Sequence, residues 1–465
     1  MSSRFVFCVA ATLLVPSAKR AWAVPTVESS ASNAGPVERL VSEALDSNPD
    51  YARAKAAAEA DRERVPQVGA LPDPILSLGI QNDSFTAIKI GEAETSWYWI
   101  VASQAFPWFG KQGLRRSVAT LQARQTEADL ARTRLSIEAD VRRAYLDLLL
   151  IRDQLGLLSK LEVLWAQSED LARARYETGQ GAQSDLLRAQ LERSRLRQRR
   201  WALGAEERRR LEVLNRLRTT PLDTPVSTSG SVSDLRDPEL PSSSEAIADA
   251  EARSPELARA QLTAEESGQR IAIAKRDYFP DFTVSAGVMP RGRLEPMWQA
   301  GLSFNIPIWA GSRQSPAVAE NQARQRSNSQ AVEEIRQLLR LRVQERLTLL
   351  EALLETNRLY RSGLLVQSEA TVSSTMAQYG VGRVTFASVL EALTGYVNDF
   401  NGFLESLASA QRLAIAQREV SLDPPSLAAP GMGSASMPGA GPAVNAPPTR
   451  SSSPAEAGTS SMSRM

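Results

Sequence analysis

Met297-Trp298-Gln299-Ala300-Gly301-Leu302-Ser303-Phe304-Asn305-Ile306 is a stretch written in alternation. Trp298, Ala300, Leu302, Phe304 and Ile306 fall on one side, and Gln299, Gly301, Ser303 and Asn305 on the other. A period of two is that of a pleated strand, whose successive side chains point to opposite faces. The same pattern stands just upstream, where Phe282, Val284, Ala286 and Val288 oppose Thr283, Ser285, Gly287 and Met289. In the first half of the chain Leu76, Leu78 and Ile80 oppose Ser77, Gly79 and Gln81, and a strand ending at Phe106 carries Trp97, Tyr98 and Trp99. Strands of about ten residues with one apolar and one small or polar face, and with aromatic residues at the interfaces, suit a membrane barrel. Trp298, Leu302 and Phe304 are then expected to meet lipid, while Gln299, Ser303 and Asn305 face water. A soluble sandwich edge is the competing reading. Four strands cannot close a barrel, and an open edge in a bilayer leaves backbone groups unpaired, so chains must combine.

Outward from these hairpins the chain is a tandem duplication, with landmarks recurring in the same order. Asn48-Pro49-Asp50-Tyr51-Ala52-Arg53-Ala54 is echoed by Ser254-Pro255-Glu256-Leu257-Ala258-Arg259-Ala260. Pro72-Asp73 with Phe106-Pro107-Trp108-Phe109-Gly110 is echoed by Pro280-Asp281 with Ile306-Pro307-Ile308-Trp309-Ala310-Gly311. Tyr176-Glu177-Thr178-Gly179 is echoed by Tyr379-Gly380-Val381-Gly382. Each half reads as a first helix (36–65 and 243–276), a β-hairpin, a very long helix, a glycine turn and a second long helix. Ile137, Val141, Ala144, Leu148, Ile151, Leu155 and Leu158, and likewise Phe386, Leu390, Leu393, Val397, Phe400, Leu404 and Leu407, carry coiled-coil spacing. From Lys111 to Tyr176 there is no proline, and at about 1.5 Å per residue that helix is on the order of 100 Å long. Taken alone, the helices also fit an elongated bundle or coiled-coil stalk.

The expected divisions are an export signal at 1–23, a first repeat at 24–218, a connector at 219–242, a second repeat at 243–421 and a disordered tail at 422–465. Arg4, the apolar run Phe5–Val15 and Ala21-Trp22-Ala23 form the signal, with the cut near Val24. The connector is rich in Pro, Ser, Thr and Asp. The tail is mostly Pro, Ala, Gly, Ser and Met and lacks the residues to bury a core.

Composition narrows the function. The chain has 465 residues, 54 basic and 53 acidic side chains, no histidine and one cysteine, Cys8, inside the signal. The charge balance gives no footprint for nucleic acid, and the arginines between Arg188 and Arg218 alternate with Glu and Leu as a solvated helix face. Without histidine, and with no cysteine past the signal, Ser-His-Asp and Cys-His chemistry is excluded. Gly110-Lys111 is not a phosphate-binding loop, because Gln112 stands where a Ser or Thr would hold magnesium. No cofactor and no metal site is expected. The tail residues Met432, Met437, Met462 and Met465 are soft ligands, but solvated side chains are the simpler reading.

The duplicated plan of helix, β-hairpin and helical hairpin resembles the TolC-like outer-membrane factors of Gram-negative efflux systems, over nearly all of the chain to about 420. Leu71-Pro72-Asp73-Pro74 and Phe106-Pro107-Trp108-Phe109-Gly110-Lys111 look most like the CzcC-like heavy-metal efflux branch. The resemblance implies a mainly α fold with a small β part. In it, long helical hairpins form a trimeric α-barrel across the periplasm, and four strands per chain enter a shared transmembrane β-barrel. It implies a homotrimer in outer-membrane lipid, working with a periplasmic adaptor and an inner-membrane pump as a passive conduit for metal ions or small toxic compounds. The membrane strands then include Leu76, Leu78, Trp97, Trp99, Phe282, Val284, Trp298, Leu302 and Phe304. Gly179 and Gly382 sit at the periplasmic tips, where the family docks its adaptor and closes its pore. Its gate uses a Tyr, a basic residue and acidic residues, roles that Tyr379, Arg383 and Glu391 can fill, with Asp185 keeping the acidic position of the first hairpin. Val384 stands where a second basic residue is expected and Ser388 where an acidic one is, so fewer ion pairs are expected here. An exported coiled-coil or adaptor protein without a channel, and an exported enzyme, are the competing classes.

Overall fold

Each half of the chain folds as the duplication implies, and the two hairpins merge into one sheet. The structure, a computed structural model, describes residues 35–228 and 230–425. The export signal and the tail methionines lie outside the described residues. The order is α1 (Pro36–Ser47), α2 (Pro49–Gly69), β1 (Ile75–Gln81), β2 (Trp97–Phe106), α3 (Lys111–Glu177) and α4 (Gln183–Leu217). After the connector, the second half repeats it as α5 (Ser243–Arg253), α6 (Pro255–Arg276), β3 (Phe282–Arg291), β4 (Leu294–Phe304), α7 (Gln314–Leu359), a π-turn (Tyr360–Leu364), α8 (Leu365–Gly380) and α9 (Phe386–Glu419).

The first helix of each half, expected to be continuous, is broken in two. A residue before proline is pushed out of the helical region. Asn48 and Ser254 accordingly take extended backbone, ψ 123° and 113°. Each then caps the next helix. Asn48 Oδ1 accepts from Asp50 N–H at 2.9 Å, and Ser254 Oγ from Leu257 N–H at 3.2 Å.

The heptad seams become the core. Ile137, Val141, Ala144 and Leu148 of α3 are buried with Phe403, Leu404 and Leu407 of α9 and with Leu40 and Val41 of α1. Nearer the glycine turns, Leu158, Leu161 and Trp165 of α3 pack with Ala189 of α4 and with Phe386, Leu393 and Val397 of α9. The connector contributes to this packing, since Val226 and Val232 are buried in the first cluster. Leu422, which the sequence places at the start of the tail, packs against Leu339, Val343 and Val420. Among the described residues no helix is long and apolar enough to cross a membrane.

The sheet runs β1-β2-β3-β4, antiparallel throughout. Its register aligns apolar side chains in rows on one face. Leu78 pairs with Ile100, Ile100 with Val288 and Val288 with Trp298, so a single row of apolar side chains crosses both repeats. Leu76, Ala102, Ala286 and Ala300 form the next row.

Candidate functional site

Two places in the molecule concentrate unusual chemistry: the glycine turns where the long helices reverse, and the exposed face of the sheet.

Both turns end a helix in the same way. Gly179 has φ +74° and Gly382 φ +78°, a left-handed conformation that glycine adopts without a Cβ penalty. Gly179 N–H donates to Tyr176 O at 3.0 Å and Gln180 N–H to Arg175 O at 2.8 Å. Gly382 N–H donates to Tyr379 O at 3.0 Å and Arg383 N–H to Gln378 O at 2.9 Å. These paired bonds are the Schellman termination, which satisfies the last helical carbonyls.

The side chains around the two turns differ. Tyr379 is buried at 1% exposure and packs edge-on to Phe386 at 5.5 Å, whereas its counterpart Tyr176 is 44% exposed. The Arg175 guanidinium lies over the Tyr379 ring, 4.7 Å from its centre, and Nη1 donates to Tyr379 O at 2.7 Å. Arg175 Nη2 donates to Gln180 O at 3.1 Å, so one arginine joins both turns. Tyr379 Oη donates to Asp185 Oδ2 at 3.4 Å. Burial, followed by the Asp185 carboxylate, pushes the Tyr379 phenol above its ordinary pKa. A methyl group at Gly382 would approach Arg175 Nη2 to 3.2 Å.

Of the tip residues singled out in the sequence, the structure brings Tyr379 and Asp185 together. It leaves Arg383 and Glu391 exposed, with no ion pair among the described residues. Arg175 fills the basic role instead, from the first hairpin. It was missed because its partners are reached only when α8 packs beside α3; the adjoining tyrosine repeat was the one available signal. Below the turns, buried Glu169 is held by Arg193 of α4, by Arg173 at 3.0 Å and by Gln190 at 3.4 Å. The Arg193 hydrogen bond, opposed by burial, leaves the Glu169 carboxyl below its ordinary pKa. Among the described residues no cluster of carboxylate, thiol or imidazole groups is placed to hold a metal ion.

The sheet presents the second feature. Leu76, Leu78, Ile80, Tyr98, Ile100, Val284, Val288, Trp298, Leu302 and Phe304 lie on one face, and all are exposed. So large an exposed apolar surface marks a site of contact with something apolar. Aromatic rings mark both ends. Phe282 stacks on Phe106 at 5.4 Å and lies 6.4 Å from Phe304 at the helical end, while Tyr98 and Trp298 stand near the loops. Trp97 and Trp99, named with the strand residues, do not share this face. They belong to β2 but lie on the opposite face, in register with Gln81 and Gly79. The Trp99 ring covers Gly79 so closely that it leaves no room for a Cβ there.

A family model described as outer membrane efflux protein matches residues 40–219 and 246–399. The chain belongs to this family. No curated relative matches it by sequence. Among solved structures it is similar to CusC, studied for the conformational changes that accompany folding and transmembrane channel formation. The TM-score is 0.72 at 18% identity, over 84% of this chain and 92% of that one. It is also similar to the open state of the MtrE outer membrane channel of Neisseria gonorrhoeae, with TM-score 0.70 at 17% identity over 83% and 88%. A third similarity is to the outer membrane protein VceC of Vibrio cholerae, with TM-score 0.67 at 16% identity over 83% and 95%. As an outer membrane efflux protein the chain is a channel component and not an enzyme. The chain is placed in the outer membrane and extends from it into the periplasm.

Proposed function

We propose that three copies of this chain form the outer-membrane duct of a tripartite efflux system. A periplasmic adaptor docks at the tips, an inner-membrane pump supplies the energy, and the duct passes metal ions or small toxic compounds to the exterior. The observation that carries this reading is the apolar face of the sheet, continuous across both repeats and open at two edges. In hydrocarbon an unpaired strand edge is costly, and closure into a barrel removes it. The long helices then carry the wall of the pore for about 100 Å beyond the sheet.

Heavy-metal export is the finer proposal. It rests on Leu71-Pro72-Asp73-Pro74 and on Phe106-Pro107-Trp108-Phe109-Gly110-Lys111. At the tips, Arg175, Tyr379 and Asp185 tie the two hairpins of one subunit together, while exposed Arg383 and Glu391 stand ready to meet neighbouring helices. The test is complementation of a strain lacking its own outer-membrane efflux channels, with the cognate adaptor and pump co-expressed. Restored resistance to divalent or monovalent metal ions supports the metal reading, and resistance to dyes and detergents alone refutes it. No export of either class, from a chain shown to reach the outer membrane, refutes the duct.

A further inference from the structure

The duplication predicts how one copy meets the next. Asp73 corresponds to Asp281 and Phe106 to Ile306. These correspondences carry the observed β1–β2 pair Ile75–Ser103 onto Thr283–Ser303, which is the pair observed between β3 and β4. The repeat is therefore accurate at the level of strand register. The β2–β3 junction, where the first repeat meets the second inside one chain, has a counterpart that a single chain leaves empty: β4 beside β1 of the next copy. Both are edge strands.

Mapped across, Ala102–Ala286 becomes Leu302 with Leu78 of the partner subunit, and Ser103–Ser285 becomes Ser303 with Ser77 of the partner subunit. Val101–Gly287 becomes Gly301 with Gly79 of the partner subunit. From Ala300 to Phe304 the mapped pairs keep apolar beside apolar and small or polar beside small or polar; at the end of the strand Asn305 with Ile75 of the partner subunit departs from this. A slip by one residue would reverse this at each position.

The junction also has a lock. Lys111 is buried, and its Nζ bonds Asp281 Oδ1 at 2.9 Å and Phe279 O at 2.9 Å, while Trp108 N–H donates to the same Asp281 oxygen at 2.7 Å. This ties the end of β2 to the start of β3. Its second-repeat equivalents are identifiable. Gln112 and Gln314 each donate to a backbone carbonyl just before the Pro-Asp segment of their own half, Ala70 O and Asp277 O. Arg313 therefore stands for Lys111, as Asp73 stands for Asp281. Both are exposed, and neither makes an ion pair among the described residues.

We propose that, where the barrel of the channel reading brings β4 of one copy against β1 of a second copy, the seam takes the register of Leu302 with Leu78 of the partner subunit. In this seam Arg313 grips Asp73 of the partner subunit as Lys111 grips Asp281. The inference rests on the channel reading, because a bilayer is what forces the edges to close.

Cysteine pairs test it. Apart from Cys8 in the expected signal the sequence has no cysteine. Under mild oxidation in membranes, Ser77→Cys with Ser303→Cys is expected to give disulfide-linked dimers and trimers, while Ser77→Cys with Asn305→Cys and each single variant give none. Cross-linking of the second pair in place of the first overturns the register. A trimer by native mass measurement that cross-links through neither pair overturns the seam and leaves the channel reading standing, whereas a monomer overturns both. For the lock, Asp73→Arg and Arg313→Asp are each expected to lower the temperature at which the detergent-resistant oligomer dissociates, and the double exchange to recover at least half of the loss. A double variant as weak as the two single losses combined overturns the ion pair. Circular dichroism at matched temperature checks that each variant is folded.

Discussion

The first half of the chain reaches its tip on one unbroken helix of 67 residues, α3, whereas the second half arrives in two pieces, α7 and α8, joined by the π-turn at Tyr360–Leu364. At the turn Tyr360 packs on Phe403 at 5.8 Å, and its hydroxyl sits so close to Gly402 that a Cβ there would come within 2.6 Å. Arg361 reaches across to Asp237 in the connector at 2.6 Å. The tips then differ in content although their backbones match. The first supplies Arg175 and Asp185, where the second has Gln378 and Ser388, and the second supplies the buried tyrosine. The lesson is that the duplication is retained in what the backbone requires, strand register and turn glycines. Side-chain chemistry is divided so that one polar cluster needs both halves.

The largest expected effect tests the end of the molecule where the halves behave alike. Leu78→Arg and Leu302→Arg, one in each half, are each expected to cost about 2–4 kcal/mol if placed near the bilayer midplane. Ser303→Arg, on the opposite face, costs far less. Equal losses at Leu302 and Ser303, measured by denaturant unfolding from lipid or detergent, would break the assignment of faces.

The tips sharpen the contrast between halves. Arg175→Ala removes charged hydrogen bonds to two backbone carbonyls and is expected to cost roughly 1.5–3 kcal/mol. Gln378→Ala, at the matching position, stays within about 0.5 kcal/mol. Thermal unfolding of the two variants reads the difference, and equal values would mean that Arg175 does not join the turns. Gly179→Val and Gly382→Val both force a β-branched residue into left-handed backbone, at about 1–2 kcal/mol each. Gly382→Val is expected to be the worse of the two, because only there does the new side chain press on Arg175.

The smallest effect is a pH dependence. The folded state raises the Tyr379 pKa above the unfolded value, by burial first and the Asp185 carboxylate second. The neutral phenol is favoured in the fold, so its contribution is intact below pH about 10 and is lost as pH rises through the folded value. Tyr360 and Tyr396 are raised by burial as well and add to the same loss. Melting curves between neutral and strongly alkaline pH are expected to fall less steeply for Tyr379→Phe than for the wild type.

Much of the fold is legible in the sequence. The strand faces follow from a period of two, and the turn glycines from their repetition. Parity also places Trp97 and Trp99 on the other face of the same strand: Tyr98, Ile100 and Ala102 alternate in step with Phe106, and the two tryptophans do not. The helix breaks at Asn48-Pro49 and Ser254-Pro255 were visible as Pro after a capping residue, yet helical composition on both sides masked them. Arg175 was not readable. Its bond to Tyr379 O joins residues 204 positions apart, and nothing local distinguishes it from the solvated arginines nearby. Arg383 and Glu391 were named from a family pattern and not from local chemistry, and among the described residues neither makes an ion pair.

The most direct test of the account is current through purified oligomers in planar bilayers, compared between wild type and Arg175→Ala with Asp185→Ala. A passive duct narrowed at its tips predicts one small, rarely open conductance per trimer in the wild type, and larger or longer openings in the double variant. A folded trimer that inserts and carries no current in either form, or identical currents in both, would contradict it.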